Sequence, residues 1–491
     1  MRYVVGIDIG TTSTKAVAFT AGGEVLGSAG VSYPVFTDAD GRHELDPDQL
    51  FDAVLSVLGR VVGGAFAGEP VAVSLSCAMH SLILVDVAGK PLTRAMTWAD
   101  LRSEAYAAAL KGSDAGRRIY RQTGTPIHAM SPLCKLLWLK DKHPALYRQA
   151  AHFIGIKEYI WWRLFGKYQI DLSIASATGL LDIRAFGWNA ESLELAGVRA
   201  GQLSEPVSCM HSESVLLPVW QSLGLPEGLR FIIGASDGCL ANLGTGAVRS
   251  GATALTIGTS GAVRMAAARP EYDEQERLFS YILTEELYIC GGATNNGGNA
   301  VQWYADLVMG QGNRDPGALD RLVAGAEDVP AGCEGLIFLP YLLGERAPIW
   351  DASAKGVFFG IRAIHRQEHF TRALLEGISY GLRQVGVSLE ETIGPIREIY
   401  ASGGFTRNTA WLQLMADVFM KKVHVTAQAD ASAIGAAMLA WHALGVFDSL
   451  EATASLAKVE ATYEPDEVRH GVYQRNYLLF VELYGRLHDL M

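Results

Sequence analysis

Two glycine-threonine segments half a chain apart look like copies of each other, and they constrain the fold more than any other feature of this 491-residue sequence. The first, Asp8-Ile9-Gly10-Thr11-Thr12-Ser13, follows the apolar run Tyr3-Val4-Val5-Gly6-Ile7. The second, Thr256-Ile257-Gly258-Thr259-Ser260-Gly261, follows Ala254-Leu255. Each reads as a strand, a tight turn and a second strand, Lys15 to Phe19 in one case and Ala262 to Met265 in the other. Gly10 and Gly258 let the backbone turn and present its N–H groups, and the Thr and Ser hydroxyls add donors, which makes a phosphate cradle of the nest type. One such loop is as readily an ordinary hairpin. Two at matching places predict a duplicated domain that grips one polyphosphate from both sides.

The length exceeds what one hydrophobic core organises, so two domains are expected. Apolar residues make up 49% of the chain and charged residues 19%, enough to fill two ordinary globular cores. The formal net charge of −11 comes without any Lys/Arg-rich run, so nucleic acid is not an expected partner. The six cysteines are scattered with no C-x-x-C pair, which removes zinc spacing and leaves a reduced thiol set. The first strand begins at once, with no basic-then-apolar leader, and apolar runs such as Gly335 to Leu343 are too short to span a bilayer. A soluble cytoplasmic protein with no membrane partner is the expectation.

Along the chain, strands are expected at the first run, at Lys15 to Phe19 and at Val25 to Val35, then a helix from the Asp46-Pro47-Asp48 turn through Val62. Pro70 to Leu75 and Ser81 to Val85 read as strands, Pro132 to Trp138 and Ile156 to Phe165 as helices, and Ser173 to Thr178 as a loop. The strand Leu229 to Ala235 runs into Ser236-Asp237-Gly238. In the second half, strands flank Gly258, and the strand Leu287 to Cys290 leads into Gly291-Gly292-Ala293. A helix then starts near Asn299, and a strand runs from Gly335 to Pro340. A long helix from about Glu368 to Leu389 comes next, followed by the strand Glu398 to Ala401 with its Ser402-Gly403-Gly404 turn. Further helices cover Trp411 to Phe419 and Ala431 to Leu444, with the strand Val423 to Thr426 between them. Strands alternating with helices predict an α/β class with a mixed sheet in each half. The boundary is placed within Asn242-Leu243-Gly244-Thr245-Gly246, giving domains 1–245 and 246–491.

These segments resemble a known family. Asp8 to Lys15, Thr256 to Gly261 and Ser402 to Phe405 look like the phosphate-1, phosphate-2 and adenosine motifs of the sugar kinase–actin–heat-shock ATPase superfamily. Gly344-Glu345-Arg346-Ala347-Pro348-Ile349-Trp350-Asp351 and Gly356-Val357-Phe358-Phe359-Gly360 look like the signature of its FGGY carbohydrate kinases. The resemblance covers nearly the whole chain, with the motifs in the family's order. It implies two actin-like (ribonuclease H-like) domains, ATP and Mg²⁺ in the cleft between them, and a sugar substrate. Ser76 to Ser81, Thr97 to Ser103, Thr123 to Pro132 and Asp171 to Leu180 are similar to the gluconokinases of this family. Gluconate is therefore the favoured substrate and a ketopentose such as xylulose the alternative. Family members are often dimers, so a homodimer is admitted, though no interface stripe is visible.

Phosphoryl transfer to an alcohol needs a base at the hydroxyl, a metal on the phosphates and donors on the transferring oxygens. Asp237, at the end of an apolar strand among Ala235, Ser236 and Gly238, fits the base, and the family's catalytic Asp falls there. The other reading is a turn Asp that caps the next helix. Asp8, mid-strand before a glycine turn, is read as an Mg²⁺ ligand acting through water, or as a structural hydrogen-bond acceptor. The resemblance assigns Thr11, Thr12 and Lys15 to the β- and γ-phosphates, although glycerol kinases carry Arg at the Lys15 position. Gly258 and Thr259 match the second phosphate loop. Gly298 and Gln302 fall where family members contact nucleotide, Gln302 being equally an exposed helix residue. Gly403, Gly404 and Asn408 match the adenosine site, Asn408 being equally helix surface.

Met79-His80 follow a buried strand, at the end where open α/β sheets place ligands, and His80 is read as a sugar-hydroxyl partner or a satisfied structural histidine. Trp98, Asp100 and Arg102 form a polar-aromatic cluster for the sugar, or an Asp–Arg surface pair. Gluconate also needs a cation or donors for its carboxylate. Arg102 and His128 are the candidates, with Lys157 a weaker one because related kinases of other specificity share it. A non-enzymatic relative, such as a sugar-responsive regulator, a filament protein or a chaperone ATPase, explains neither Asp237 nor Met79-His80.

Overall fold

The computed structural model describes residues 1–64, 68–310, 317–426 and 430–491. The apolar N-terminal run forms β1 (Arg2–Ile9), which pairs antiparallel with β2 (Ser13–Thr20), itself followed by β3 (Val25–Ser32). Helix α1 (Pro47–Val62) starts where the sequence placed it: the Asp46 carboxylate accepts from Asp48 N and Gln49 N, and Pro47 needs no donor in the first turn. Strands β4 (Glu69–Cys77), β5 (Ser212–Glu213) and β6 (Arg230–Ser236) complete a six-stranded sheet in the order β5-β6-β4-β1-β2-β3. Within it β6, β4 and β1 run parallel, so their C-terminal ends share one edge.

The second sheet is built from β7 (Ala252–Ile257), β8 (Gly261–Ala267), β9 (Phe279–Thr284), β10 (Leu287–Thr294), β11 (Glu398–Ser402), β12 (Lys422–Thr426) and β13 (Val459–Tyr463). Its order is β9-β10-β8-β7-β11-β12-β13. The antiparallel β7–β8 hairpin beside the parallel strand β11 repeats the β1–β2 hairpin beside β4. One apolar core is built around the first sheet and takes in part of β9 and β10, another fills the rest of the second, and both sheets are mixed, as the alternation of elements predicted.

Three local expectations change. Residues Ser173 to Thr178 are not simply a loop, because the Asp171 carboxylate caps a short helix, α2 (Leu172–Ser176), by accepting from Ile174 N at 2.9 Å. The strand expected over Leu287 to Cys290 does not end there, because β10 runs straight on through Gly291 and Gly292 to Thr294. A Cβ on Gly292 would lie 2.6 Å from Ala347 Cβ, so glycine serves close packing there. Third, the small-residue helix α3 (Ala431–Ala443) belongs by sequence to the second half, yet it packs on β1, β4 and the helix that follows β6. A Cβ on Gly435 would meet Leu240 O at 1.9 Å, and one on Gly244 would meet Ala431 O at the same distance. The two helices therefore cross at backbone contact, which ties the halves together beside the cleft. No helix among the described residues is long and apolar enough to cross a membrane. All six cysteines are buried free thiols.

Candidate active site

Strand β6 ends at Ser236, whose hydroxyl accepts from Cys239 N and caps the helix α4 (Asp237–Gly244). Asp237 is therefore the first helical residue rather than the cap. Among the described residues its Oδ1 accepts only from Gly238 N, at 2.7 Å, and the carboxylate faces a cavity of about 310 Å³ between the two sheets. Burial, with the Asp8 carboxylate second, pushes its pKa up to about 7, against the pull of Gly238 N–H, Arg264 and Lys157. Such a carboxyl sits at the proton affinity that general-base work near neutrality requires.

Lys157 holds this strand end from behind. Its ammonium is buried, pairs with Asp171 at 2.7 Å and donates to Ala235 O at 2.8 Å. It is thus not free for a substrate carboxylate. Ser173, on α2, donates to Ser236 Oγ and accepts from Ser236 N, so the residue before Asp237 is held by the segment expected to be a loop.

Met79 and His80 line the cavity from the first half. His80 has a left-handed backbone, φ 67°, and its Nδ1 lies 2.6 Å from Ala177 O, which sets that nitrogen as the donor. Nε2 is then the acceptor, 3.4 Å from the Tyr281 hydroxyl. Burial, reinforced by Lys135, pushes the ring's pKa down to about 3, so His80 is neutral. Trp98 also lines the cavity, under the Arg346 guanidinium at 4.7 Å.

Asp100 and Arg102 do not reach the cavity. Arg102 pairs with Asp100 at 2.7 Å and Glu44 at 2.6 Å and stacks on Trp138, while Asp100 also accepts from His43 N. They are a pair, as the blander alternative held, but a largely buried one that braces the loop. His128 is not among the residues that line the cavity; its ring lies 5.2 Å from that of Trp350, which does, and its Nδ1 accepts from Met130 N. Burial and Arg346 push its pKa down to about 3, so it brings no positive charge to a carboxylate.

The two loops are unequal. Asp8 accepts from Ser76 Oγ at 2.6 Å, and at the matching register Thr256 Oγ1 bonds Ser402 Oγ at 2.9 Å. Thr11 lines the cavity, whereas Thr12 is exposed and its carbonyl accepts from Tyr33 N. Lys15 is spent on Asp430, at 2.6 Å on the surface, rather than held free for phosphate. Gly258 and Thr259 line the main cavity, and Gly258 also borders a second cavity of about 190 Å³. Neither Gly10 nor Gly258 has a positive φ, so neither is there for a left-handed turn. A Cβ on Gly258 would project into open space, and its absence leaves room between the two cavities.

The second cavity is walled by Gly298, Gly404 and Asn408. Gly403 carries the turn behind it at φ 97°, where a Cβ would lie 2.4 Å from Ile257 O. Asn408 is the N-cap of the helix Thr409–Phe419, accepting from Trp411 N at 2.7 Å, which leaves its amide N–H groups for a ligand. Gln302 is half-exposed on its helix and lines neither cavity.

Three cations were missed. Lys135 is buried and donates to His80 O, Thr97 O and Met130 O at 2.6, 2.7 and 2.9 Å, gathering three cavity segments onto one ammonium. The signal was a lysine in the apolar run Pro132-Leu133-Cys134-Lys135-Leu136. Arg264, on β8, donates to Asn242 Oδ1 and Thr256 Oγ1 and lines the cavity beside Asp237. Arg346, inside a motif already singled out, lines the same cavity.

Among the described residues, no group of three or more His, Cys, Asp or Glu side chains could hold a metal by itself. Asp8 nonetheless fits a hard cation. Burial raises its pKa against the Ser76 hydrogen bond, Asp430 raises it further, and its charge in turn raises that of Asp237, so a cation at Asp8 would relieve repulsion between these carboxylates. Mg²⁺ needs only one or two carboxylates when phosphates and water complete its shell. The gap at Gly258 fits a phosphate chain passing from one cavity to the other.

Residues 3–244 match the FGGY family of carbohydrate kinases, N-terminal domain, and residues 253–444 match its C-terminal domain. A gluconokinase of Bacillus licheniformis is 40% identical over 98% of this chain and 95% of its own. The crystal structure of gluconate kinase from Lactobacillus acidophilus superposes with a TM-score of 0.94 at 34% identity, covering 99% of this chain and 98% of the other. The structure of ligand-bound xylulose kinase from Lactobacillus acidophilus matches with the same TM-score and identity, covering 99% of both chains.

Proposed function

The chain belongs to the FGGY family of carbohydrate kinases, and we propose that it phosphorylates D-gluconate at O6 with ATP, giving 6-phosphogluconate and ADP. The observation that carries this reading is the Asp237 carboxylate, free of capping duty, opening on a cavity that Gly258 joins to a second one. Gluconate is chosen over other sugars on the 40% identity with a gluconokinase.

Adenosine lies against Gly404 and Asn408, the phosphates pass Gly258 and Gly298, and the γ-phosphoryl arrives beside Thr11, Thr259 and Arg264. Asp8 would hold Mg²⁺ through water, and the ion would supply neutralisation of phosphate charge. Asp237 accepts the O6 proton as O6 bonds to the γ-phosphorus and the bond to the β–γ bridging oxygen breaks. The Gly238 N–H and then Arg264 favour the ionised form of Asp237, and Arg264 lines the cavity where charge on the transferring oxygens would be met. Lys157 and Ser173 hold the base at its strand end, so orientation is fixed before substrate arrives. Met79, His80 and Trp98 receive the sugar chain, His80 as a neutral, oriented ring.

Release of ADP from Mg·ATP on addition of gluconate, xylulose or glycerol tests the reading, gluconate being expected to give the highest kcat/KM. Asp237→Asn should keep ATP binding and lose kcat by about 1,000-fold. Near-full turnover in that variant would remove the base assignment. Xylulose is the second reading, favoured by the equal likeness of the fold to a xylulose kinase. It prevails if xylulose is the better substrate.

A further inference from the structure

The two phosphate loops close in the same way. Gly10 N donates to Ser13 O at 3.0 Å, and Gly258 N donates to Ser260 O at 2.9 Å. The residue after each glycine, Thr11 or Thr259, lines the main cavity, and its backbone N–H has no partner among the described residues. In a trans peptide the N–H points opposite to the carbonyl of the residue before it. The partner of the glycine carbonyl therefore decides where the free N–H points. In the second loop that partner is main chain, at the start of the helix Gly298–Met309. Gly298 N donates to Gly258 O at 2.8 Å, and Asn299 N donates to Thr259 O at 3.0 Å.

Among the described residues, the partner in the first loop is one side chain instead. Tyr33, just past β3, donates from its hydroxyl to Gly10 O at 2.5 Å, and its N–H donates to Thr12 O at 3.3 Å. The phenol has a single proton, which Gly10 O takes, so Thr14 Oγ1 is the donor in its 3.3 Å contact with the phenol oxygen. Burial raises the pKa of Tyr33 against that Thr14 hydrogen bond, which keeps the proton in place near neutrality. Tyr33 is not among the residues that line the cavity. The Gly10 carbonyl is thus held by a group outside the cavity, while Thr11 lies on the cavity wall.

We propose that Tyr33 is a positioning residue of the first cradle, its hydroxyl holding the Gly10 carbonyl so that the Thr11 N–H is presented to the terminal phosphate of the nucleotide. The assignment rests on the phosphate path proposed above. One phenol does for the Gly10–Thr11 peptide what a helix start does for Gly258–Thr259. Without the hydroxyl, Gly10 O loses its one partner among the described residues, and the peptide can turn its oxygen toward the phosphates. A carbonyl oxygen there repels the anion that the N–H would bind.

The test is Tyr33→Phe, which removes one oxygen and keeps the ring. Calorimetry with Mg²⁺ compares binding of the β,γ-imido analogue of ATP with binding of ADP, which lacks the terminal phosphate, and steady-state rates give KM for gluconate. The imido analogue should bind about tenfold more weakly to the variant, with ADP and KM for gluconate within about twofold of the unmodified protein. Equal weakening of both nucleotides, no change in either, or a loss confined to gluconate makes Tyr33 structural and overturns the assignment. If the unmodified protein binds neither nucleotide, the phosphate path itself fails and the assignment falls with it.

Discussion

The hairpins β1–β2 and β7–β8 have the same backbone plan and divide the chemistry between them. In each, a residue two before the loop glycine bonds a serine on the neighbouring parallel strand, Asp8 with Ser76 and Thr256 with Ser402. The first position is a carboxylate and the second a hydroxyl, so only the first can serve a cation. The second has Arg264 on its partner strand, donating to Thr256, so only it brings a positive group to the cavity. Four residues separate the paired ends Ile9 and Thr14, and three separate Ile257 and Gly261. On the proposed reading, the residue at one register position in each hairpin makes one a metal side and the other an anion side.

The largest effect should come from the first of these positions. Asp8→Asn removes the carboxylate while keeping an acceptor for Ser76, and kcat should fall about 1,000-fold, with higher Mg²⁺ recovering part of it. Thr256→Val at the matching position should cost about tenfold, because one neutral hydrogen-bond network is lost. Equal losses in steady-state rates would mean that the two cradles are not divided in this way.

The second cradle is probed at Arg264. Arg264→Gln should lower kcat about 100-fold with little change in KM for ATP, since the group acts where charge develops rather than where adenosine binds. A loss confined to KM for ATP would make Arg264 a nucleotide anchor and blur the division.

How much of this the sequence shows depends on how far each residue's partners lie along the chain. Asp8, Gly258 and Asp237 are legible because strand, glycine and carboxylate adjoin in sequence, and the helical start of Asp237 is set by the adjacent Ser236. Asp100 and Arg102 mislead for the same reason. Two residues apart, they were grouped as a sugar site, but that spacing lets them satisfy each other, and Glu44, 58 residues from Arg102, completes the cluster. Lys135 and Arg346 were passed over because a buried cation is defined by what fails to pair with it or by carbonyls from distant segments. Helix α3 shows the same limit at the level of the fold. Its small residues announce a close approach, but periodicity does not say that the surface approached is the first sheet.

A smaller effect separates the two hairpins by their pull on Asp237. The folded pKa of about 7 lies above the unfolded value, so this group's contribution to stability is full below about pH 4 and is lost as pH rises through 7. Activity needs the ionised form and should rise over the upper part of that window, with the acid limb of kcat/KM near pH 7. Asp8 raises this pKa and Arg264 lowers it, so Arg264→Gln should move the limb to higher pH. A limb that moves to lower pH, or stays where it is, would show that Arg264 does not act on Asp237.

The smallest effect is expected at Lys15, which the family resemblance assigns to phosphate. Its side chain is 49% exposed, and its ammonium pairs with Asp430 at 2.6 Å. An exposed pair of this kind contributes about 0–1 kcal/mol, so Lys15→Gln should leave kcat and KM for ATP within about threefold and barely move the melting temperature. The residue opposite Asp8 in the first hairpin is then a latch to Asp430, just before α3, while the working cation sits on the second. A loss in Lys15→Gln matching that in Arg264→Gln would place a phosphate-binding cation on both sides of the cleft, and the hairpins would differ only in their carboxylate.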